Sequence, residues 1–337
     1  MGSRRPALFA TLFWTAGCGD VSVPLLVRLA SGGTDDAGSV SVAPTEASLD
    51  ASLDATVGED GAAPIDAAEA AGDDAGDARV LGAFGAVSLV VPLSDPNADD
   101  EDPTFTGDQL ELYFMSNRTG SQDIWSSKRK ALTDPWGPPA RVTELSTSAS
   151  DRGPAVSLDG LTIWFSSNRD DDGGTGFDIW VSSRPSIQAP WGPPMRVTEL
   201  NSSGADEAPA VDEAQLVIVF MSDRAGGVGG MDLYMASRTT SSAPWGPPVN
   251  LVDINTTGDE WDPFIGDVDR QLFWAANKPK EEIRQSTRNS SSQPFPRYRV
   301  LSELGTPDFD PTFSIDLRHV MFGSSRSGNQ DIYEAFR

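Results

Sequence analysis

The sequence predicts an all-β fold: a five-bladed β-propeller over residues 84–337, closed by pairing of an N-terminal outer strand with the C-terminal blade and preceded by a disordered tether. Three observations predict it. A Trp-Gly-Pro-Pro phrase recurs, as DPWGPPARVTEL (Asp134 to Leu145), APWGPPMRVTEL (Ala189 to Leu200) and APWGPPVNLVDI (Ala243 to Ile254). A proline opening each unit recurs at Pro103, Pro154, Pro209, Pro263 and Pro311, at spacings of 51, 55, 54 and 48 residues. Within the units apolar residues alternate with period two and show no helical stripe, which gives about four short strands per unit of about fifty residues, the size of a propeller blade.

The chain opens on MGSRRPALFATLFWTAGC, where Arg4 and Arg5 precede an apolar stretch from Pro6 to Trp14 and then small residues. This is the pattern of an export signal over residues 1–18. The apolar run is too short to span a bilayer. Thr15-Ala16-Gly17-Cys18 resembles the bacterial lipoprotein cleavage box, so Cys18 is the candidate lipidation site and the membrane would be met only through that anchor. The alternative is an ordinary secretory signal with an incidental cysteine. As Cys18 is the single cysteine, an intrachain disulfide and a cysteine-rich metal site are both excluded.

Residues 19–83 contain no Phe, Trp or Tyr and carry 13 acids against two arginines, Arg28 and Arg79. Such a composition cannot bury enough apolar surface to offset the entropy of ordering, and its self-repulsion extends it. A flexible acidic linker is therefore expected. The whole chain has net charge −25 and the part from Phe84 onward −16. Nucleic acid and anionic lipid surfaces are disfavoured as partners, because like charges repel and no basic patch intervenes. A cationic or neutral partner is favoured.

Each unit reads as a strand and turn (PAVSLDG, Pro154 to Gly160), a strand ending in a polar triplet (LTIWFSSNR, Leu161 to Arg169), a loop, a third strand (FDIWVSSR, Phe177 to Arg184), the Trp-Gly-Pro-Pro loop and a fourth strand (RVTEL, Arg196 to Leu200). The last unit stops after its third strand at DIYEAFR, while FGAVSLVVPLS (Phe84 to Ser94) stands ahead of the first. Phe84 lies 19 residues before its proline; Trp136, Trp191 and Trp245 lie 18 before theirs, and Phe295 lies 16 before Pro311. The N-terminal orphan therefore supplies the missing outer strand of the last blade, which removes exposed edges. The repeated phrase precedes the outermost strand, where prolines remove no needed ladder bond. Its tryptophans are expected to pack between blades, a sugar-stacking role being the alternative.

Two sets of charged residues recur. Asp100, Asp151, Asp206, Glu260 and Asp308 each stand three residues before a unit's proline and are candidates to ring one mouth of the channel, binding a cationic segment; alternatively they hold their own turns. Arg118, Arg169, Arg224, Lys278 and Arg326 face Asp123, Asp178, Asp232, Glu282 and Asp331 across a hairpin, and structural pairing is expected there. Asp170, Asp171 and Asp172 lack the spacing of a calcium motif, so no metal site is expected. The lone His319, in LRHVMF, reads as a packed strand residue.

DRGPAVSLDGLTIWFSSNRDDDGGTGFDIWVSSR and PWGPPVNLVDINTTGDEWDPF resemble PD40, the WD40-like repeats of TolB-type propellers and of envelope proteins carrying OmpA-type domains. The resemblance covers Phe84 to Arg337. It implies a propeller used as a binding platform without a cofactor. The expectation that follows is a non-catalytic, exported, monomeric protein at the bacterial cell envelope, in the periplasm or on the outer membrane, binding an envelope protein or peptide. The alternative is a carbohydrate- or peptidoglycan-binding propeller that uses Trp261 or Trp274. A glycosidase built on paired carboxylates is set aside because the prominent acids repeat from blade to blade, whereas catalysis needs one asymmetric set. The irregular fourth unit, with Ala276-Asn277-Lys278 and the polar EEIRQSTR, makes Lys278 and Lys280 candidates to face the partner.

Overall fold

The computed structural model describes residues 82–337 except 170–175, 267–268, 278–280 and 306. The expected export signal, Cys18 and all but residues 82–83 of the expected linker lie outside the described residues. Every regular element among those described is a β-strand, so none of them is a helix able to cross a membrane.

Among the described residues twenty strands form five four-stranded antiparallel sheets. Blade 1 is β2 (Asp100–Phe105), β3 (Glu111–Ser116), β4 (Asp123–Lys128) and β5 (Ala140–Arg141). Blade 2 is β6 (Asp151–Val156), β7 (Thr162–Ser167), β8 (Asp178–Ser183) and β9 (Met195–Arg196). Blade 3 is β10 (Asp206–Val211), β11 (Val217–Ser222), β12 (Asp232–Ser237) and β13 (Val249–Asn250). Blade 4, regular despite its divergent sequence, is β14 (Glu260–Gly266), β15 (Gln271–Ala276), β16 (Glu282–Thr287) and β17 (Arg299–Val300). Blade 5 is β18 (Asp308–Phe313), β19 (His319–Ser324), β20 (Asp331–Phe336) and, as its outer strand, β1 (Ser88–Leu89).

The ring closes where the sequence places the closure. Ser88 pairs with Glu334 and Leu89 with Tyr333, and the ladder extends through Gly85 N–H to Phe336 O at 2.8 Å and Val90 N–H to Ile332 O at 2.9 Å. The inner strands β2, β6, β10, β14 and β18 touch in cyclic order around a central channel. The apolar core is accordingly divided into five clusters, one per gap between blades. Tyr113, Ile124, Ile163, Phe165, Trp180 and Trp191 fill the gap between blades 1 and 2, and Leu93, Leu112, Phe114, Trp136, Met321 and Ile332 fill that between blades 5 and 1. Each such side chain, once fully buried, contributes about 1.5–3 kcal/mol.

The Trp-Gly-Pro-Pro loop is a capped aromatic wedge. Trp136, Trp191 and Trp245 are buried, and the guanidinium of the last residue of the third-strand run lies over each ring: Arg129 at 4.3 Å, Arg184 at 4.4 Å and Arg238 at 4.1 Å. Blades 4 and 5 repeat the stack with Arg288 on Phe295 at 4.5 Å and Arg337 on Phe84 at 4.2 Å. The same five arginines donate through Nε to the backbone carbonyls of Gln109, Gly160, Gln215, Asp269 and Leu317, which ties the outer loop to the turn after the inner strand. Glycine follows Trp136 because a Cβ on Gly137 would stand 2.9 Å from Lys128 O, the carbonyl its own N–H bonds.

Candidate active site

The prolines that open the inner strands mark a ring of β-bulges. In every blade the first two strands slip register at this point, between Glu101 and Thr104 in blade 1 and at the equivalent positions elsewhere. The residue before each proline takes a left-handed conformation: Asp102 (φ 54°), Gly153 (φ 58°), Ala208 (φ 47°), Asp262 (φ 47°) and Asp310 (φ 51°). A single left-handed L-residue costs about 1–2 kcal/mol, least for Gly and, through local hydrogen bonds, Asp. The architecture is fivefold, yet its occupants are not. Blades 4, 5 and 1 present aspartates side by side, whereas blades 2 and 3 present Gly153 and Ala208.

The three aspartates converge. One carboxylate oxygen from each of Asp102, Asp262 and Asp310 lies within 4.8 Å of the other two, close enough to repel while charged and to ligate a common cation. Asp310 Oδ2 accepts from Asp102 N–H at 3.1 Å, and Asp102 Oδ2 accepts from Gly153 N–H at 2.9 Å, so each leans onto the next blade. The Asp262 and Asp310 carboxyls are close neighbours, and their mutual repulsion favours a proton on Asp310. Above this neck a cavity of about 420 Å³ opens, and the residue preceding each left-handed position walls it: Glu101, Arg152, Glu207, Trp261 and Phe309. Arg152 pairs with Glu207 and lies over the Phe177 ring at 3.9 Å.

Burial dominates the protonation of this mouth. It pushes Glu101 up to about 9, with Asp102 and Asp262 adding repulsion, and Asp102 up to about 7, with Asp262 adding more. Asp310 is raised well above the usual carboxylate range by burial and then by Asp262. Asp262 and Glu207 are raised by burial too, Arg152 pulling both back. The cluster therefore holds protons near neutral pH. Carboxyl groups of unequal proton affinity, half-buried at Glu101, Asp102 and Asp262 and buried at Glu207 and Asp310, gathered in one cavity are the equipment of general acid–base chemistry.

The acids singled out by sequence sit elsewhere. Asp100, Asp151, Asp206, Glu260 and Asp308 are fully buried and do not ring the mouth. Their carboxylates are held inside the blades: Asp100 by Arg118, Asp151 by Arg169 at 2.6 Å, Asp206 by Arg224 and Asp308 by Arg326. Glu260 Oε1 accepts from Thr256 Oγ1 at 2.6 Å and lies 3.7 Å from Arg284. The hairpin pairing is also corrected. The triplet arginines reach back to the inner strand, and the third-strand acids turn outward: Asp123 pairs with Arg141 at 2.7 Å, Asp178 with Arg196 at 2.9 Å, and Asp232 accepts from Asn250 at 2.9 Å. Asp331 accepts from Ser327, and Glu282 meets Arg284 at 3.3 Å. The reason is register: Asp100 and Asp123 both stand opposite Ser116, on its two sides, and the arginine two residues on from Ser116 turns toward the inner strand.

Trp261 is half-buried in the mouth wall, as a ligand-facing residue would be, but Trp274 is wholly buried, edge-on to Tyr298 at 5.5 Å, and faces no partner. Lys278, Lys280 and Asp170 to Asp172 lie outside the described residues. The Asp102, Asp262 and Asp310 set went unread in the sequence. Its signal is the unequal residue before each proline, in DEDP, DRGP, DEAP, EWDP and DFDP.

No family model matches the chain, and no curated protein matches it. Solved structures share its fold. Zg3597, a family 117 glycoside hydrolase produced by Zobellia galactanivorans, aligns at TM-score 0.53 with 11% identity, over 75% of this chain and 90% of that one. The α-L-arabinofuranosidase from Lactobacillus brevis aligns at TM-score 0.51 with 15% identity, over 74% and 94%. TolB from Acinetobacter baumannii aligns at TM-score 0.47 with 16% identity, over 73% of this chain; the chain spans 56% of TolB's length. At these identities the likeness is one of fold. It nevertheless overturns the expectation of a protein that is not an enzyme, because glycoside hydrolases are among the solved structures that share this fold. The ground for that expectation falls as well, since the acids at the mouth do not repeat from blade to blade.

Proposed function

We propose that the chain is a carbohydrate-active propeller that hydrolyses a glycosidic bond in its acidic mouth. The observation that carries this reading is the one-sided set of carboxyl groups, Glu101, Asp102, Asp262 and Asp310, gathered in one cavity beside Trp261. Glycoside hydrolysis needs a carboxylic acid that still holds its proton at working pH and a second group that is ionised. Glu101, its carboxyl raised to about 9, fits the first role and would protonate the leaving oxygen. Asp262, raised by burial but drawn back by Asp310 and by the Arg152 charge, is the candidate of this set for the second role. Trp261 offers an apolar face to a sugar ring. The fold shared with glycoside hydrolases supports the reading without assigning a substrate.

Hydrolysis of a panel of nitrophenyl and dinitrophenyl glycosides of arabinose, xylose, galactose and glucose tests it. Glu101→Gln is expected to lower kcat on the poorer, nitrophenyl leaving group by about 10²–10⁴-fold, the usual worth of a general acid, and to spare the activated one. An inert wild-type protein, or equal activity in Glu101→Gln on both leaving groups, contradicts the proposal. Its setting is proposed from the sequence alone: export through residues 1–18, lipidation of Cys18 and the resemblance to PD40 repeats would put the activity at a bacterial cell envelope, and mass spectrometry of the N-terminal peptide for acyl chains on Cys18 tests this.

A further inference from the structure

The cavity of about 420 Å³ above the neck is rich in hydrogen-bond acceptors and poor in donors. Among the described residues six acids line it, Glu101, Asp102, Glu207, Asp262, Glu281 and Asp310, against one base, Arg152. That base is already engaged, since Arg152 pairs with Glu207. Two backbone N–H groups reach the other acids, Asp102 N–H to Asp310 and Gly153 N–H to Asp102, and neither serves Glu101, Asp262 or Glu281. A ligand that satisfies this wall must therefore bring donors and positive charge. Uronic, sulfated and phosphorylated sugars bring the reverse and are repelled.

The geometry at the floor is more specific. The three aspartate oxygens stand no more than 4.8 Å apart, so a point between them lies within about 2.8 Å of all three (4.8 Å divided by √3), the length of a charge-assisted N–H···O bond. An ammonium group on a sugar carries three N–H donors for those three acceptors, whereas a hydroxyl carries one donor and no charge. Burial and mutual repulsion also leave this set holding protons, with Asp102 up to about 7. A cation seated among the carboxyls favours their charged forms, so it displaces protons as it binds.

We infer that the glycan unit taken by this mouth is an amino sugar with a free, protonated amine, its ammonium seated among Asp102, Asp262 and Asp310. That the ligand is a sugar rests on the carbohydrate-active reading above; the preference for the amine is read from binding and needs no turnover, which keeps the two separable.

Calorimetry on the full chain at pH 6 compares the β-1,4-linked tetramers of glucosamine, N-acetylglucosamine and glucose, which differ only at C2. Tetralysine serves as a polycation of equal charge, and calcium chloride as a bare cation. The glucosamine tetramer is expected to bind at least about tenfold more tightly than the other two tetramers, the least that a charge-assisted hydrogen bond contributes. It should also release protons, read as a binding heat that changes with the ionisation heat of the buffer. Asp102→Asn together with Asp310→Asn, which keeps an acceptor for both backbone N–H groups, should erase the preference and the proton release. Equal binding of the three tetramers, tetralysine bound as tightly as the glucosamine tetramer, calcium bound while all tetramers are ignored, or a preference that survives in the double variant overturns the inference. Preferential binding of the glucosamine tetramer with no glycoside cleaved upholds it and removes the hydrolytic reading. Cleavage of a neutral glycoside without any preference for the amine does the reverse.

Discussion

The guanidinium of Arg337 lies 4.2 Å from the centre of the Phe84 ring, joining the two ends of the described fold across the closing seam. The contact repeats, at the seam, the stack that Arg129 makes on Trp136 within one blade. What holds each outer loop thus also holds the ring shut. Phe84→Ala should cost about 3–5 kcal/mol, as should Trp136→Ala, and Arg337→Ala about 0.5–2 kcal/mol, read by urea denaturation. Equal stability of Phe84→Ala and the parent would mean that the seam contributes nothing.

Breaking a buried ion pair from one side leaves a charge stranded. Arg169→Met, which strands Asp151, should destabilise by about 3–5 kcal/mol, while Arg169→Met with Asp151→Leu together should recover much of the loss. Thermal unfolding of the single and double variants decides this. A double variant no more stable than the single would refute a purely structural role for Asp151.

Ala208 holds a left-handed conformation that its own methyl side chain cannot support by a hydrogen bond, although its N–H donates to Ser166 Oγ at 2.9 Å. Ala208→Gly relieves that conformation and should stabilise the fold by about 1 kcal/mol, although Gly also loosens the unfolded chain. Denaturant midpoints of the two proteins supply the comparison, and destabilisation would contradict the conformation described.

The mouth acids tie stability to pH. Their folded proton affinities are raised, to about 9 for Glu101 and about 7 for Asp102, whereas unfolded carboxyls titrate in the ordinary range. Between those limits the folded state binds more protons than the unfolded, so stability falls as pH rises from about 4 to about 9. Glu101→Gln and Asp102→Asn should flatten that fall and exceed the parent in stability at alkaline pH. A parent whose stability is constant over this window would count against the protonated cluster.

Much of the architecture was legible because it repeats. The proline ruler located five inner strands, and the unequal chain ends located β1 against β20. Strand edges were less legible: RVTEL suggests a fourth strand from Arg196 to Leu200, yet β9 is only Met195–Arg196, because Leu200 N–H turns back to Val197 O at 3.1 Å. The arginine partners were misread because spacing along a hairpin does not say on which side of the sheet a long side chain turns. Repetition also hid the site. Attention to what recurs leads to Asp151 and its buried counterparts, whereas the chemistry gathers where one position differs from blade to blade: Asp102, Gly153, Ala208, Asp262 and Asp310.

The claim that this unequal position builds a proton-holding site is tested most directly by carboxyl-carbon NMR over pH 3–10, with Glu101 and Asp102 assigned through their Gln and Asn variants. The account predicts that the Glu101 carboxyl is still protonated at pH 7, and that the Asp102 signal is midway through its change there. Both signals completing their titration below about pH 5, as solvated carboxylates do, would contradict it.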